Sequence, residues 1–380
     1  MNKTKKFKKF RKFRKFAFLL FAAILIIALT LASCGDSNSA PKSKTSNRIY
    51  IAIVSKGFQH QFWQTVYAGS KAAAEELDVD ITFEGPPSEA EIDTQLAMVG
   101  AALDKNPDAL CLAAIDVNHL NEKLLDAKNA KIPVIGFDSG IPGAPEGIIF
   151  STASTNNYAA GELAAVKMFE ESTVKARIMA ATADNPVVIG VLSQDAISPS
   201  IVDRTKGFVD KFRELSEGVH SGAVEISGHD LFIKPAAGKP AVIINVVVSP
   251  TPNYSDNQIS AENLFNNTSN LISIFCSNEG TVTGLLAATN DGEDLARDSG
   301  KYKDVVIIGF DAGVSQKQAI KKQYIYGSIT QDPYQIGYLA VELAYKAIKG
   351  EKLDAVVDTG CKFYNYENID SPDIAQLVYD

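Results

Sequence analysis

Short apolar runs alternating with helical patterns dominate this 380-residue chain and limit it to few folds. The runs are Ile49–Val54, Val79–Phe83, Ala109–Ala114, Val134–Phe137, Val187–Leu192, Leu271–Phe275 and Val305–Phe310. Most are apolar on consecutive positions, the mark of strands covered on both faces. Most are also followed by residues with helical periodicity, and such βαβ alternation implies parallel sheets with helices on both sides. About 330 residues of it exceed what one core holds, so two lobes are expected. The fold class expected is α/β, with two doubly wound parallel-sheet lobes.

An internal echo supports that division. Pro133-Val-Ile-Gly-Phe-Asp138-Ser-Gly140 is repeated in pattern by Val306-Ile-Ile-Gly-Phe-Asp311-Ala-Gly313. In open parallel sheets ligands bind beyond the carboxyl ends of strands, so an aspartate placed there faces a crevice. Asp138 and Asp311 are therefore candidate ligand acceptors, one from each lobe. The plainer alternative is that each caps the helix after it.

The first 33 residues set the compartment. Nine basic residues, Lys3 to Lys15, precede a charge-free apolar stretch from Phe16 to Ser33. That stretch is short for a spanning helix and runs into small residues, as a signal peptide does. The junction Leu31-Ala-Ser-Cys34-Gly35 resembles the lipobox of bacterial lipoproteins, which implies cleavage before Cys34 and lipidation of its thiol. Two or more acyl chains hold a protein stably at a membrane, so Cys34 is the expected anchor on the outer face. Residues 34–47 are rich in Ser, Asn, Lys and Pro and read as a flexible tether.

Removing the leader leaves 28 of the 37 basic residues against 45 acidic ones, a net charge of −17. That balance argues against nucleic acid as a partner. Cys111, Cys276 and Cys361 have no metal-ligand spacing, and no metal or other cofactor is expected. No Ser-His-Asp pattern, Gly-x-Ser-x-Gly elbow or phosphate loop is present, so an enzyme is not expected.

The loop after the first run carries Ser55-Lys56-Gly-Phe58-Gln-His60-Gln-Phe62-Trp63. Sugars present apolar C–H faces and a rim of hydroxyls, which suits stacking rings beside polar groups. Phe62 and Trp63 are the stacking candidates, and Phe58 is as well explained as a packing residue. His60 suits a hydroxyl, and Lys56 brings three donors and a charge that balances Asp138. In the second half Asp203-Arg204 opens a helix, Asn278 follows a buried run, and Gln331 ends Tyr326–Gln331. An Arg fork beside carboxylates and amides can grip vicinal hydroxyls. Taken singly, a surface ion pair, a helix cap and a strand end would also account for Arg204, Asn278 and Gln331.

In order, these segments resemble the ribose- and galactose-type periplasmic binding proteins of ABC transporters, the type I fold. The resemblance runs from about Arg48 to Glu351 and rests on Ile51–Trp63, Ile132–Ser139, Asn157–Gly161, Asp203–Phe208, Phe275–Glu279, Val306–Asp311 and Ile329–Gly337. It implies ligand contacts from His60, Phe62, Trp63, Asp138, Arg204, Asn278, Asp311 and Gln331, with Tyr254 as the second-lobe aromatic. It also implies an N-terminal lobe of residues 48–154 plus 332–360 and a C-terminal lobe of 155–331. A three-crossing hinge near Ser154, Gln331 and Gly360 joins them, and residues 361–380 are left as a C-terminal extension. Ser139 stands where ribose binders usually carry arginine. Lys56, Asp138 and Asp203, with Phe83-Glu-Gly-Pro86, are similar to receptors for a furanosyl autoinducer. The expected function is capture of a small sugar or polyol by a monomeric lipoprotein and delivery to ABC permease subunits. The alternative is a receptor for a furanosyl signal, or a sugar receptor that serves chemotaxis or a sensor kinase. A gene regulator of this fold would open with a helix-turn-helix, whereas here a leader and Cys34 precede the first strand.

Overall fold

The computed structural model describes residues 48–379; the expected leader 1–33, the anchor Cys34 and the tether 34–47 lie outside the described residues. Strands are numbered in chain order. In the first lobe β1 (Tyr50–Val54), β2 (Asp80–Glu84), β3 (Ala109–Leu112), β4 (Val134–Phe137) and β5 (Ile149–Ser154) are joined by a late strand, β12 (Val356–Asp358). Their order is β12-β5-β4-β3-β1-β2, with every pair parallel. The second lobe contains β6 (Val187–Ser193), β7 (Val224–Gly228), β8 (Val242–Val248), β9 (Leu271–Cys276), β10 (Val306–Phe310), β11 (Gly327–Gln331) and β13 (Cys361–Asn365). Here the order is β13-β11-β10-β9-β6-β8-β7, parallel except that β13 runs antiparallel to β11. β3, β4, β6, β9, β10 and β11 are buried along their whole length, as the largely apolar runs of all but the polar β11 require.

Two parts of the chain differ from the sequence reading. Residues 242–248, absent from the apolar runs named above, form β8, a seven-residue strand paired in register with β6 in the sheet interior. The added material is the edge strand β7 and a return loop, whose Lys234 bridges to Ile226 and covers that edge. Residues 361–379, set apart above as an extension, supply the opposite edge strand and a closing turn. Fully buried Tyr364 lies in that strand, which explains why the segment is held to the lobe.

The chain passes between lobes three times, at Ser154–Asn157, Gln331–Pro333 and Asp358–Cys361. The first and third passages are tied together. Thr359 N donates to Ser154 O at 3.0 Å and Asn156 N to Asp358 Oδ1 at 3.0 Å. β1 sits between β2 and β3, and β6 between β8 and β9, so each sheet has a topological switch point. The loops leaving these strands open into the crevice such switch points create.

Each lobe sets a helix pair at backbone contact through glycines. A Cβ on Gly161 would stand 2.1 Å from Arg204 O, and one on Gly207 2.0 Å from Tyr158 O. The first lobe repeats the device: a Cβ on Gly69 would lie 1.9 Å from Tyr334 O, and one on Gly337 1.9 Å from Val66 O. Only glycine allows helices this close. The second-lobe contact presses the helix Pro199–Glu217 onto Asn157–Glu170, and so fixes where Arg204 stands.

Candidate functional site

The repeated Gly-Phe-Asp motif builds two equivalent turns. Asp138 and Asp311 both leave their strands with positive φ, 52° and 74°. Short Asp side chains tolerate this region better than most, and non-glycine residues held there concentrate at functional sites. Asp138 N donates to Ala153 O on β5 and Asp311 N to Ile329 O on β11, so both turns are bonded to the next strand alike. Neither carboxylate caps the helix that follows it. Asp138 pairs with Lys56 at 2.9 Å, while Asp311 accepts from Glu279 N at 3.0 Å and Gln331 Nε2 at 2.8 Å. The C-terminal segment braces the second turn, since Tyr364 Oη donates to Asp311 O at 2.9 Å and Ala312 N to Tyr379 Oη at 3.2 Å.

On the first-lobe wall, Lys56 Nζ pairs with Asp138 at 2.9 Å and donates to the hydroxyls of Ser198 and Ser200 at 3.2 and 3.1 Å. The two serines open the second lobe's helix, so Lys56 is a bridge across the cleft. Burial works against the ammonium, but Asp138 and Glu89 more than offset it and hold the pKa above 10.5. Burial lifts the Asp138 carboxyl, against the pull of Lys56. Trp63 is 1% exposed, stands edge-on to Phe62 and Phe137, and donates through Nε1 to Glu89 Oε1 at 2.9 Å. Burial would also raise the Glu89 carboxyl, yet Lys56, His60 and the Trp63 and Gln194 hydrogen bonds carry it below its ordinary 4.5.

On the second-lobe wall, the Arg204 guanidinium lies 3.4 Å above the Phe310 ring. It donates to Asn157 Oδ1 from Nε and Nη2, at 3.2 and 2.8 Å, and to Ser277 O from Nη1 at 2.6 Å. Two of its five N–H groups have no partner in this set. Burial lowers its pKa from 12.5, opposed by Asp311 and Asp138. Asn278 caps the helix Glu279–Ala288 through a reciprocal capping box with Thr281, and its amide nitrogen donates to Gln194. Gln194 in turn donates to Glu89 Oε2 at 3.0 Å, which completes a second bridge between lobes. Gln331 keeps its Oε1 buried and unpaired.

These walls face one another across a narrow crevice between the lobes. Lys56, His60, Phe62, Trp63, Asp138, Arg204, Asn278, Asp311 and Gln331 all line it. Asp203 and Tyr254 do not. Asp203 is exposed and lines a neighbouring groove beside Ser154 and Asp358, since one residue's rotation about the helix turns it away from the face that buries Arg204. Tyr254 begins the helix Tyr254–Asn267 on the outside, 54% exposed. Phe58 packs edge-on against Phe83 and is also absent from the lining. Reasoning from sequence missed Glu89, Ser200 and Ile201. For the serine the signal was present, as Ser198-Pro-Ser200 precedes the helix that carries Arg204.

Comparison with known proteins agrees with this geometry. The chain is 23% identical over 334 residues to the ribose import binding protein RbsB of Salmonella typhimurium, covering 88% of this chain and 94% of that one. A solved chain described as an ABC transporter, LacI family transcriptional regulator from Brachyspira murdochii is 39% identical, with a TM-score of 0.73 over 88% of this chain and all 100% of that one. An ABC transporter solute-binding protein of Agrobacterium vitis, solved with bound D-fucose, is 26% identical at a TM-score of 0.71, with 87% and 100% coverage. The family model for the periplasmic binding protein domain matches residues 51–352, and the chain belongs to that family.

Proposed function

We propose that the protein binds a small sugar or polyol between its lobes and delivers it to an ABC importer, held at the outer membrane face by lipid on Cys34. The observation that carries this reading is the cavity itself. The rings of Phe62 and Trp63 stand beside Asp138, Asp311, Arg204, Asn278 and Gln331 in one crevice, an apolar and hydrogen-bonding lining of the kind a sugar needs. The ribose- and D-fucose-binding relatives support the ligand class. Lys56 and Glu89 are held in their charged forms, which suits fixed hydrogen bonding rather than proton transfer near neutral pH. Lining residues come from both lobes, so ligand binding favours the closed arrangement by its contacts to each.

A thermal-shift screen of pentoses, hexoses and alditols, followed by calorimetry on any hit, tests the ligand class. A saturating rise in Tm with one-to-one binding is expected; a panel with no binder refutes the reading. The anchor is tested separately. Wild type should take up acyl label and partition with membranes, and Cys34→Ala should do neither. Label on the variant would remove Cys34 from the proposal.

A further inference from the structure

The cavity holds one more carboxylate than cation. Lys56 and Arg204 face Glu89, Asp138 and Asp311. Lys56 is paired with Asp138 and bonded to Ser198 and Ser200, whereas both hydrogen-bond partners of Glu89, Trp63 and Gln194, are uncharged. Glu89 is thus a buried carboxylate with no ion pair of its own among the described residues. Lys56 favours this charge from a distance without touching it, and a cation in direct contact would pair it. The unspent groups agree in kind. Gln331 Oε1 is buried without a partner, and each Glu89 oxygen has accepted one bond and can accept another.

We propose that the ligand is an amino-substituted sugar or polyol whose ammonium group is received by Glu89. An ammonium is a compact cation with three donors and no acceptor, which meets both the excess charge and the surplus of acceptors. The two free N–H groups of Arg204 remain for hydroxyl oxygens elsewhere on the same ligand. This inference rests on the sugar-site reading above and adds the charge.

Calorimetry on matched triplets tests it: each neutral sugar or alditol, the derivative with one hydroxyl replaced by an amine, and the N-acetyl form of that amine. At least one amine is expected to bind tenfold or more tightly than both its neutral parent and its acetamide. Glu89→Gln should remove that preference while still binding the neutral parent, and Glu89→Asp should keep part of it. Neutral sugars that bind as well as or better than every amine overturn the charge but leave the sugar site standing. So does a preference that survives Glu89→Gln. Failure of every member to bind overturns both. Should Glu89→Gln not fold, the amine-against-acetamide comparison on wild type decides alone.

Discussion

Asp138 and Asp311 stand at equivalent places in the two lobes, each in a left-handed turn whose amide is bonded to the next parallel strand. Their carboxylates are nonetheless held differently. Asp138 balances a buried lysine, while Asp311 is fixed by the start of a helix and by Gln331. Asp138→Asn should therefore weaken ligand binding at least tenfold and also lower the Tm of the free protein. Leaving the Lys56 charge unpaired in a buried place costs about 3–5 kcal/mol. Asp311→Asn should weaken binding comparably, by about 1.5–3 kcal/mol per lost charged bond, with the smaller loss of Tm. Calorimetry and melting curves on both variants check this; unchanged affinity in both would end the case for paired acceptors.

Acid should release Glu89 from its role. Its folded-state carboxyl lies below the ordinary 4.5, so the stabilisation it gives is complete above that value and fades as pH falls through the folded-state pKa. The Tm gap between wild type and Glu89→Gln should be constant at neutral pH and narrow only below about 4.5. A gap that stays flat down to pH 3 (roughly the lower end of the carboxylate range) would contradict the assignment.

The helix contact at Gly161 can be tested without touching the cavity. Gly161→Ala places a methyl group against Arg204 O and must push the helix Pro199–Glu217 outward. Overpacking of this kind costs about 1–3 kcal/mol. The variant should melt earlier and also bind less tightly, because Arg204 leaves Phe310 and Asn157. Gly69→Ala, in the first-lobe pair, should lower Tm without moving Arg204. Equal effects of the two on affinity would break the link between this contact and the site.

Trp63 is the only tryptophan, and it lies in the cavity wall with its indole nitrogen on Glu89. A saturating ligand should change its emission, and the small-angle scattering radius should fall together with it as the lobes shut. An emission change without any change in radius would mean that binding does not close the cleft.

Local pattern made some of this legible from sequence. The Asp138 and Asp311 turns depend on a few adjacent residues, and a repeated motif displays them directly. Arg204 and Asp203 show the limit. They are neighbours of similar polarity, but one residue advances a helix by about 100°, so one faces the cavity and the other a side groove. Glu89 carries no motif at all, because its role comes from a loop that folds over Trp63 and meets Gln194 of the other lobe. β8 was absent from the apolar runs because Asn245 and the flanking prolines interrupt its pattern, and β13 because its pairing partner lies in the other lobe from the strand just before it.

Residues 356–379 are shared between the lobes, with β12 on one sheet edge, β13 on the other, and Tyr364 and Tyr379 under the Asp311 turn. Chains are made from the N-terminus and domains tend to fold as they emerge, yet neither lobe here can complete its sheet until this late stretch exists. The order of synthesis therefore sets when the site matures. A nascent chain can collapse around β1–β4 early, but both halves reach their final form together, once residues 356–379 have been made. Loss of the segment around Tyr379 would undo the Asp311 turn before it touched any core strand, so ligand capture doubles as a report that this late stretch is in place.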